Sequence, residues 1–90
     1  MFIPVYTRQF EKDIKRCSRR GKNMEKFKIL ARTLLSGKPL DPIHRDHKLS
    51  GNYLGRRDCH IESDWVIIYK ISGKQLIFER TGTHSDLFKK

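Results

Sequence analysis

Acidic residues are scarce in this chain: ten Asp and Glu stand against twenty Lys and Arg, a net charge of +10. None of the ten forms a D-x-D pair, so the acidic cluster on which a two-metal nuclease depends is missing. Cysteine is nearly absent. Cys17 and Cys59 form no C-x-x-C pair, and with no signal-peptide pattern they read as free thiols of a cytoplasmic protein. There is no apolar run of membrane length and no long Lys/Arg-and-Leu amphipathic segment. Neither a membrane span nor a membrane-surface role is expected. Repeats, low-complexity tracts and linkers are also missing. At 90 residues, the chain is expected to form one domain, 1–90, with one modest core.

What is present is positive charge, unevenly spread. Residues 1–40 hold eleven Lys/Arg and three Asp/Glu, whereas residues 41–90 hold nine and seven. An excess of this size points to a polyanionic partner. The alternative is a solvated face kept for solubility.

The spacing predicts a β-α-α-β-β-β order. Ile3-Pro4-Val5-Tyr6 suits an edge strand. Thr7 offers an N-cap to a helix with Phe10, Ile14 and Cys17 on its apolar stripe, closed by Gly21. Asn23 caps a second helix, with Met24, Phe27, Leu30, Ala31, Leu34 and Leu35 along it, stopped by Gly37, Pro39 and Pro42. The short link between them predicts an antiparallel hairpin. From Leu49 the period changes. Strands are expected over 56–61, 65–71 and 75–81, and the nearly continuous apolar run from Trp65 marks the central one. The predicted fold is α+β: a small antiparallel sheet with the helical hairpin against one face.

All four histidines, His44, His47, His60 and His84, lie in the second half. As metal ligands they pair badly. His44 and His47 are three apart and Pro-flanked, while Cys59 and His60 are adjacent, so neither metal nor cofactor is expected. Metal-free phosphoryl chemistry fits better. RNA carries its own nucleophile, the 2′-OH. An enzyme has only to remove that proton, steady the charge on phosphate and protonate the leaving oxygen. Arg80 is the candidate phosphate clamp. His84 is the candidate acid, and Asp64, His60 or His47 the candidate base. The hairpin between strands 56–61 and 65–71 puts His60, Asp64 and Trp65 at one end of the sheet, and pairing of strand 75–81 with the central one brings Arg80 to the same end. Each has a structural alternative. Arg80 can pair with Glu79 or Asp64, Trp65 can be core, and His44 reads as an exposed loop residue. Phe88, a lone terminal aromatic, needs either the core or a ligand base.

The runs His47-Lys48-Leu49-Ser50-Gly51, Asp58-Cys59-His60-Ile61-Glu62-Ser63-Asp64-Trp65 and Arg80-Thr81-Gly82-Thr83-His84 read as H-x-L-x-G, D-x-H-x-x-x-D-W and R-T-G-T-H. In that order and separation they resemble the YafQ branch of the RelE/ParE toxin superfamily. The resemblance covers nearly the whole chain. It implies a RelE-like fold and the toxin of a type II toxin–antitoxin module: a ribosome-dependent endoribonuclease that cuts mRNA in the A site and leaves a 2′,3′-cyclic phosphate. By matching positions, it implies proton-transfer and positioning roles for His47, His60, Asp64 and His84. Arg80 becomes the phosphate stabiliser, and Trp65 and Phe88 the substrate contacts. It also implies a neutralising antitoxin, with operator DNA bound only through the complex of the two. Docking on the ribosome is expected of the first helices, through Arg8, Lys12, Arg16, Arg19, Arg20, Lys22, Lys26 and Lys28. Two other classes compete: a gyrase-poisoning relative, which has no need of the histidine set, and a plain RNA-binding module, for which basic charge suffices.

Overall fold

In the computed structural model, which describes residues 1–88, the elements are β1 (Ile3–Tyr6), α1 (Arg8–Arg19), α2 (Met24–Ser36), β2 (His47–Lys48), β3 (Arg57–Glu62), β4 (Trp65–Ser72), β5 (Gln75–Gly82) and α3 (His84–Leu87). Both expected N-caps form. The Thr7 side chain accepts from the Phe10 N–H at 3.0 Å, and the Asn23 side chain accepts from the Glu25 N–H at 3.1 Å. Gly37 closes α2 in the left-handed conformation at φ 78°, which a residue without Cβ adopts at no steric cost.

The strands stand in the order β1-β5-β4-β3-β2. Two features depart from expectation. The sheet is mixed, because β1 pairs with β5 in parallel. An even number of helices returns the chain to the end of the sheet where β1 finished. β2 therefore runs opposite to β1, and three further reversals leave β5 parallel to it. The second feature is β2 itself, whose two residues, His47 and Lys48, pair with Asp58 and Arg57. A strand so short has no period to detect. β3, β4 and β5 each run one residue beyond their expected ends, so the reversal after β3 is only Ser63-Asp64.

β4 is central, as its composition implied, and is covered on both faces. Cys59, Ile61, Trp65, Ile67, Tyr69, Leu76 and Phe78 pack against Phe10, Cys17, Leu30, Ala31 and Leu34 of the helices. The alternate β4 residues, Val66 and Ile68, join Leu87, Leu49, Tyr53 and Phe88 on the opposite face. The period of two along β4 thus separates a helix-packed face from a second face closed only by α3 and the 49–56 loop.

Candidate active site

β1 ends at Tyr6, opposite Phe78, so from Glu79 onward β5 is paired with β4 on one side and has no strand on the other. Polar side chains from α1 and its cap satisfy that edge instead. Thr7 Oγ1 donates to the Glu79 carbonyl at 3.0 Å. The Thr81 N–H donates to Asp13 Oδ2 at 3.1 Å. Asp13, fully buried, also takes Arg80 Nε at 2.8 Å and Arg80 Nη2 at 3.4 Å. Gln9 and Arg16 donate to its other oxygen at 3.1 and 3.2 Å. Hydrogen bonding to Asp13 raises the Arg80 pKa above its ordinary value against the opposing effect of burial. The partner of Arg80 is therefore neither Glu79 nor Asp64. Glu79 is taken by Arg56 at 2.8 Å.

The register aligns His47, Asp58, Ile68 and Arg80 in one row across four adjacent strands. His60, Val66 and Gly82 form the next row. Both rows are on the face away from the helical hairpin. His47 is exposed, and its Nδ1 lies 2.6 Å from the Arg45 carbonyl oxygen. A carbonyl only accepts, so Nδ1 carries the hydrogen and Nε2 keeps its lone pair in the neutral ring. The same Nδ1 is 3.0 Å from Asp58 Oδ1. The hydrogen points at Arg45, so this oxygen is buried without a hydrogen-bond partner among the described residues. Burial pushes the Asp58 carboxyl up, and His47, His60 and His84 around it pull it back. The sequence had offered Asp58 only as the first letter of a motif.

His84 opens α3, a single turn that the sequence presents only as a polar run after Gly82. Thr83 and Asp86 cap it reciprocally, Thr83 Oγ1 accepting from the Asp86 N–H and Asp86 from the Thr83 N–H. Arg20 donates to Asp86 at 2.8 Å, and Arg16 lies 3.8 Å away. Burial opposes ionisation of Asp86, but the Thr83 N–H and Arg20 overcome it and hold the carboxyl down to about 2. Gly82 permits this closeness: a Cβ there would meet Asp86 Oδ2 at 2.8 Å and Arg16 Nη2 at 3.1 Å.

Asp64 Oδ1 accepts both the His84 backbone N–H at 2.8 Å and His84 Nδ1 at 2.6 Å. The backbone bond first, and the ring second, hold the Asp64 carboxyl below its ordinary range. An ionised carboxylate only accepts, so His84 also carries its hydrogen on Nδ1 and turns Nε2 outward. The His60 ring is 5.2 Å from that of His84, and the Phe88 ring is 6.0 Å from it. Phe88 leans on Tyr53 at 5.6 Å and is half-buried. His44 is also half-buried, its Nδ1 2.7 Å from the His60 carbonyl oxygen, where a plain exposed loop residue was expected.

His47, His60, Asp64, Arg80, His84 and Phe88 thus line one face of the sheet. Trp65 does not. It is completely buried, and its Nε1 donates to Thr81 Oγ1 at 3.0 Å, so substrate contact by its ring is corrected to a core role. Odd-numbered β4 residues face the helices, and the sequence alone could not say which face that was. The expected docking set also divides. Arg16 and Arg20 are committed to Asp13 and Asp86. Lys22 and Lys26 face Glu62, and Lys28 faces Glu25. Arg8, Lys12 and Arg19 are exposed and have no ion pair among the described residues.

Residues 3–89 match the family model described as bacterial toxin of type II toxin-antitoxin system, YafQ. The chain belongs to the YafQ toxin family. It is 46% identical over 84 residues to the mRNA interferase toxin YafQ of Escherichia coli, covering 92% of this chain and 91% of that protein. A putative toxin YafQ of Haemophilus influenzae is 34% identical over 87 residues, covering 89% and 85%. Among solved structures, the E. coli DinJ-YafQ complex matches with a TM-score of 0.90 and 44% identity, over 98% of this chain and 99% of that one. A metal-bound toxin from Helicobacter pylori matches with a TM-score of 0.91 and 30% identity, over 98% and 100%. In this YafQ-family chain, the described residues contain no group of three or more His, Cys, Asp or Glu placed to hold a metal ion. Nor do they contain a helix long and apolar enough to cross a membrane.

Proposed function

We propose that this chain is a ribosome-dependent mRNA endoribonuclease, the toxin of a type II toxin–antitoxin pair, and that it cuts through the substrate's own 2′-OH without a metal. The observation that carries the reading is the Asp64–His84 unit, 2.6 Å between Oδ1 and Nδ1, set beside His60 on the face that also holds His47 and Arg80. Asp64 is occupied in holding His84, so it orients and supports the imidazolium rather than acting as the base. The outward Nε2–H of protonated His84 is the general acid for the leaving 5′-oxygen. His47, with a free Nε2 lone pair, and His60 are the candidate bases. Arg80 stabilises the charge that develops on phosphate.

The name of the E. coli relative, mRNA interferase toxin, supports the substrate class. The DinJ-YafQ structures support a neutralising antitoxin as the partner of this chain, with operator DNA reached through that complex. Arg8, Lys12 and Arg19 on α1 supply the surface for ribosomal RNA.

Primer extension on a reporter mRNA in a translating extract, comparing wild type with His84→Ala and Asp64→Ala, tests the reading. Wild type should cut within the ribosome-occupied message. His84→Ala should be slower by roughly 10²–10⁴-fold, the usual contribution of one proton-transfer group. EDTA added to preassembled ribosome complexes, at a level that leaves them intact, should not stop cleavage. Full activity in both variants, or a strict need for a divalent ion in the cutting step, would sink it.

A further inference from the structure

Arg80 ends on a carboxylate that the chemistry above does not use. Asp13 is the only acid among the cations that follow Glu11 on α1, and it is fully buried. Burial of an ionised carboxylate is costly unless partners surround it, and here they do. Gln9, Arg16, the Thr81 N–H and Arg80 all donate to it. Gln9, Asp13, Arg16 and Arg20 recur at helical spacing as a polar stripe beside the apolar stripe of Phe10, Ile14 and Cys17. That stripe faces the uncovered edge of β5.

The geometry of the Arg80 contact matters more than its charge. Asp13 takes Nε and Nη2, the side edge of the guanidinium, at 2.8 and 3.4 Å. Nη1 is left without a carboxylate partner among the described residues. A guanidinium presents five N–H groups in a rigid plane, so fixing one edge fixes the other. The guanidinium plane cannot swing without breaking a contact to a carboxylate that is itself fixed, because its Oδ2 also holds the β5 backbone at the Thr81 N–H and its Oδ1 holds Gln9 and Arg16. The Arg80 head is therefore oriented before substrate arrives.

We propose that Asp13 is a positioning residue that presets the Arg80 guanidinium, so that the edge not held by Asp13, beside the Tyr53 hydroxyl, meets the scissile phosphate. This rests on the reading of the site as a ribonuclease. It assigns to α1, otherwise a docking element, a direct part in preparing the catalytic face. The same stripe continues to α3 through Arg20 and Asp86, so the helix touches both ends of the site.

The test compares wild type, Asp13→Asn, Arg80→Ala and the double variant on programmed ribosomes, measuring the cleavage rate as a function of toxin concentration. An asparagine oxygen at the Oδ2 position still accepts from the Thr81 N–H, but its amide then faces Arg80 Nη2, Gln9 and Arg16 donor to donor at the Oδ1 position, and the charge that holds the guanidinium is gone. Asp13→Asn is expected to lower the saturating rate by roughly 10–100-fold, as misplacement by about 1 Å does, and to leave the half-saturating concentration within about twofold. In the Arg80→Ala background, adding Asp13→Asn should change the rate by less than about threefold. Equal losses in both backgrounds would mean that Asp13 acts only as a staple between α1 and β5. An Asp13→Asn enzyme as fast as wild type overturns the proposal while leaving the ribonuclease reading intact. A wild-type protein that does not cut overturns both. If Asp13→Asn does not fold, hydrogen exchange of the Arg80 Nε–H in the wild-type protein decides. It should exchange far more slowly than the same group of exposed Arg8, and equal exchange at the two would refute the preset arginine.

Discussion

At the scale of single residues, the site is governed by which atoms are already spoken for. His47 and His84 each spend Nδ1 on an acceptor, and each keeps Nε2 for chemistry. Asp58 is the exception, a buried carboxylate with one oxygen unsatisfied. Burial raises its pKa, so ionising it costs folding free energy, and that cost sets in as pH rises through its ordinary carboxylate range. Asp58→Asn should therefore be no less stable than wild type at pH 7. Thermal unfolding by circular dichroism checks this, and a fall of more than about 5 °C, roughly 1 kcal/mol for a domain of this size, would show that the charge is needed for folding.

At the scale of elements, α3 is one turn long, and a helix so short has no intrinsic stability. It persists because its N-terminus is capped by Thr83 and Asp86, its Leu87 is buried, and Asp86 is anchored to α1 by Arg20. Asp86 is held down to about 2 by these contacts, against an ordinary value near 4. A depressed carboxylate adds stability that is complete above its unfolded value and disappears as pH falls through its folded one. Part of the loss of stability between about pH 4 and pH 2 should thus belong to Asp86. Thermal melts of Asp86→Asn should fall less steeply over that interval than those of wild type. Parallel slopes would assign the acid sensitivity elsewhere.

At the scale of the molecule, charge and chemistry are less separate than the sequence suggests. The excess of cations lies on α1, α2 and the link between them, yet several serve internal ion pairs: Arg16 and Arg20 with Asp13 and Asp86, and Lys22 and Lys26 with Glu62. The share left for an anionic surface includes Arg8, Lys12 and Arg19. Replacing these three with Gln should weaken ribosome binding and flatten its salt dependence, since fewer counterions are released. The rate at saturation should hold, and fold stability should stay within about 0.5 kcal/mol, as is usual for surface changes. A sedimentation binding assay over a salt series measures this. An unchanged slope would move the docking surface elsewhere.

Much of the architecture is legible in the sequence. Thr7, Asn23 and Gly37 signal helix ends through local hydrogen bonds and backbone sterics, which act within a few residues. The apolar run from Trp65 marks a strand covered on both faces. Most of the candidate site was legible as well, because His47, His60, Asp64, Arg80 and His84 sit in motifs with fixed spacing. Tertiary structure alone decided the rest. Whether Trp65 faced substrate or core depended on which side of the sheet the helices covered, and a period of two is silent on that. The parallel pairing of β1 depended on the number of reversals summed over the whole chain. The partner of Arg80 was sixty-seven residues away at Asp13, a pairing set by how far β1 extends along β5 and by which face of α1 meets the edge left open. Local sequence determines the elements because their causes are local. It does not determine which carboxylate meets which guanidinium, because that is settled only when the elements pack.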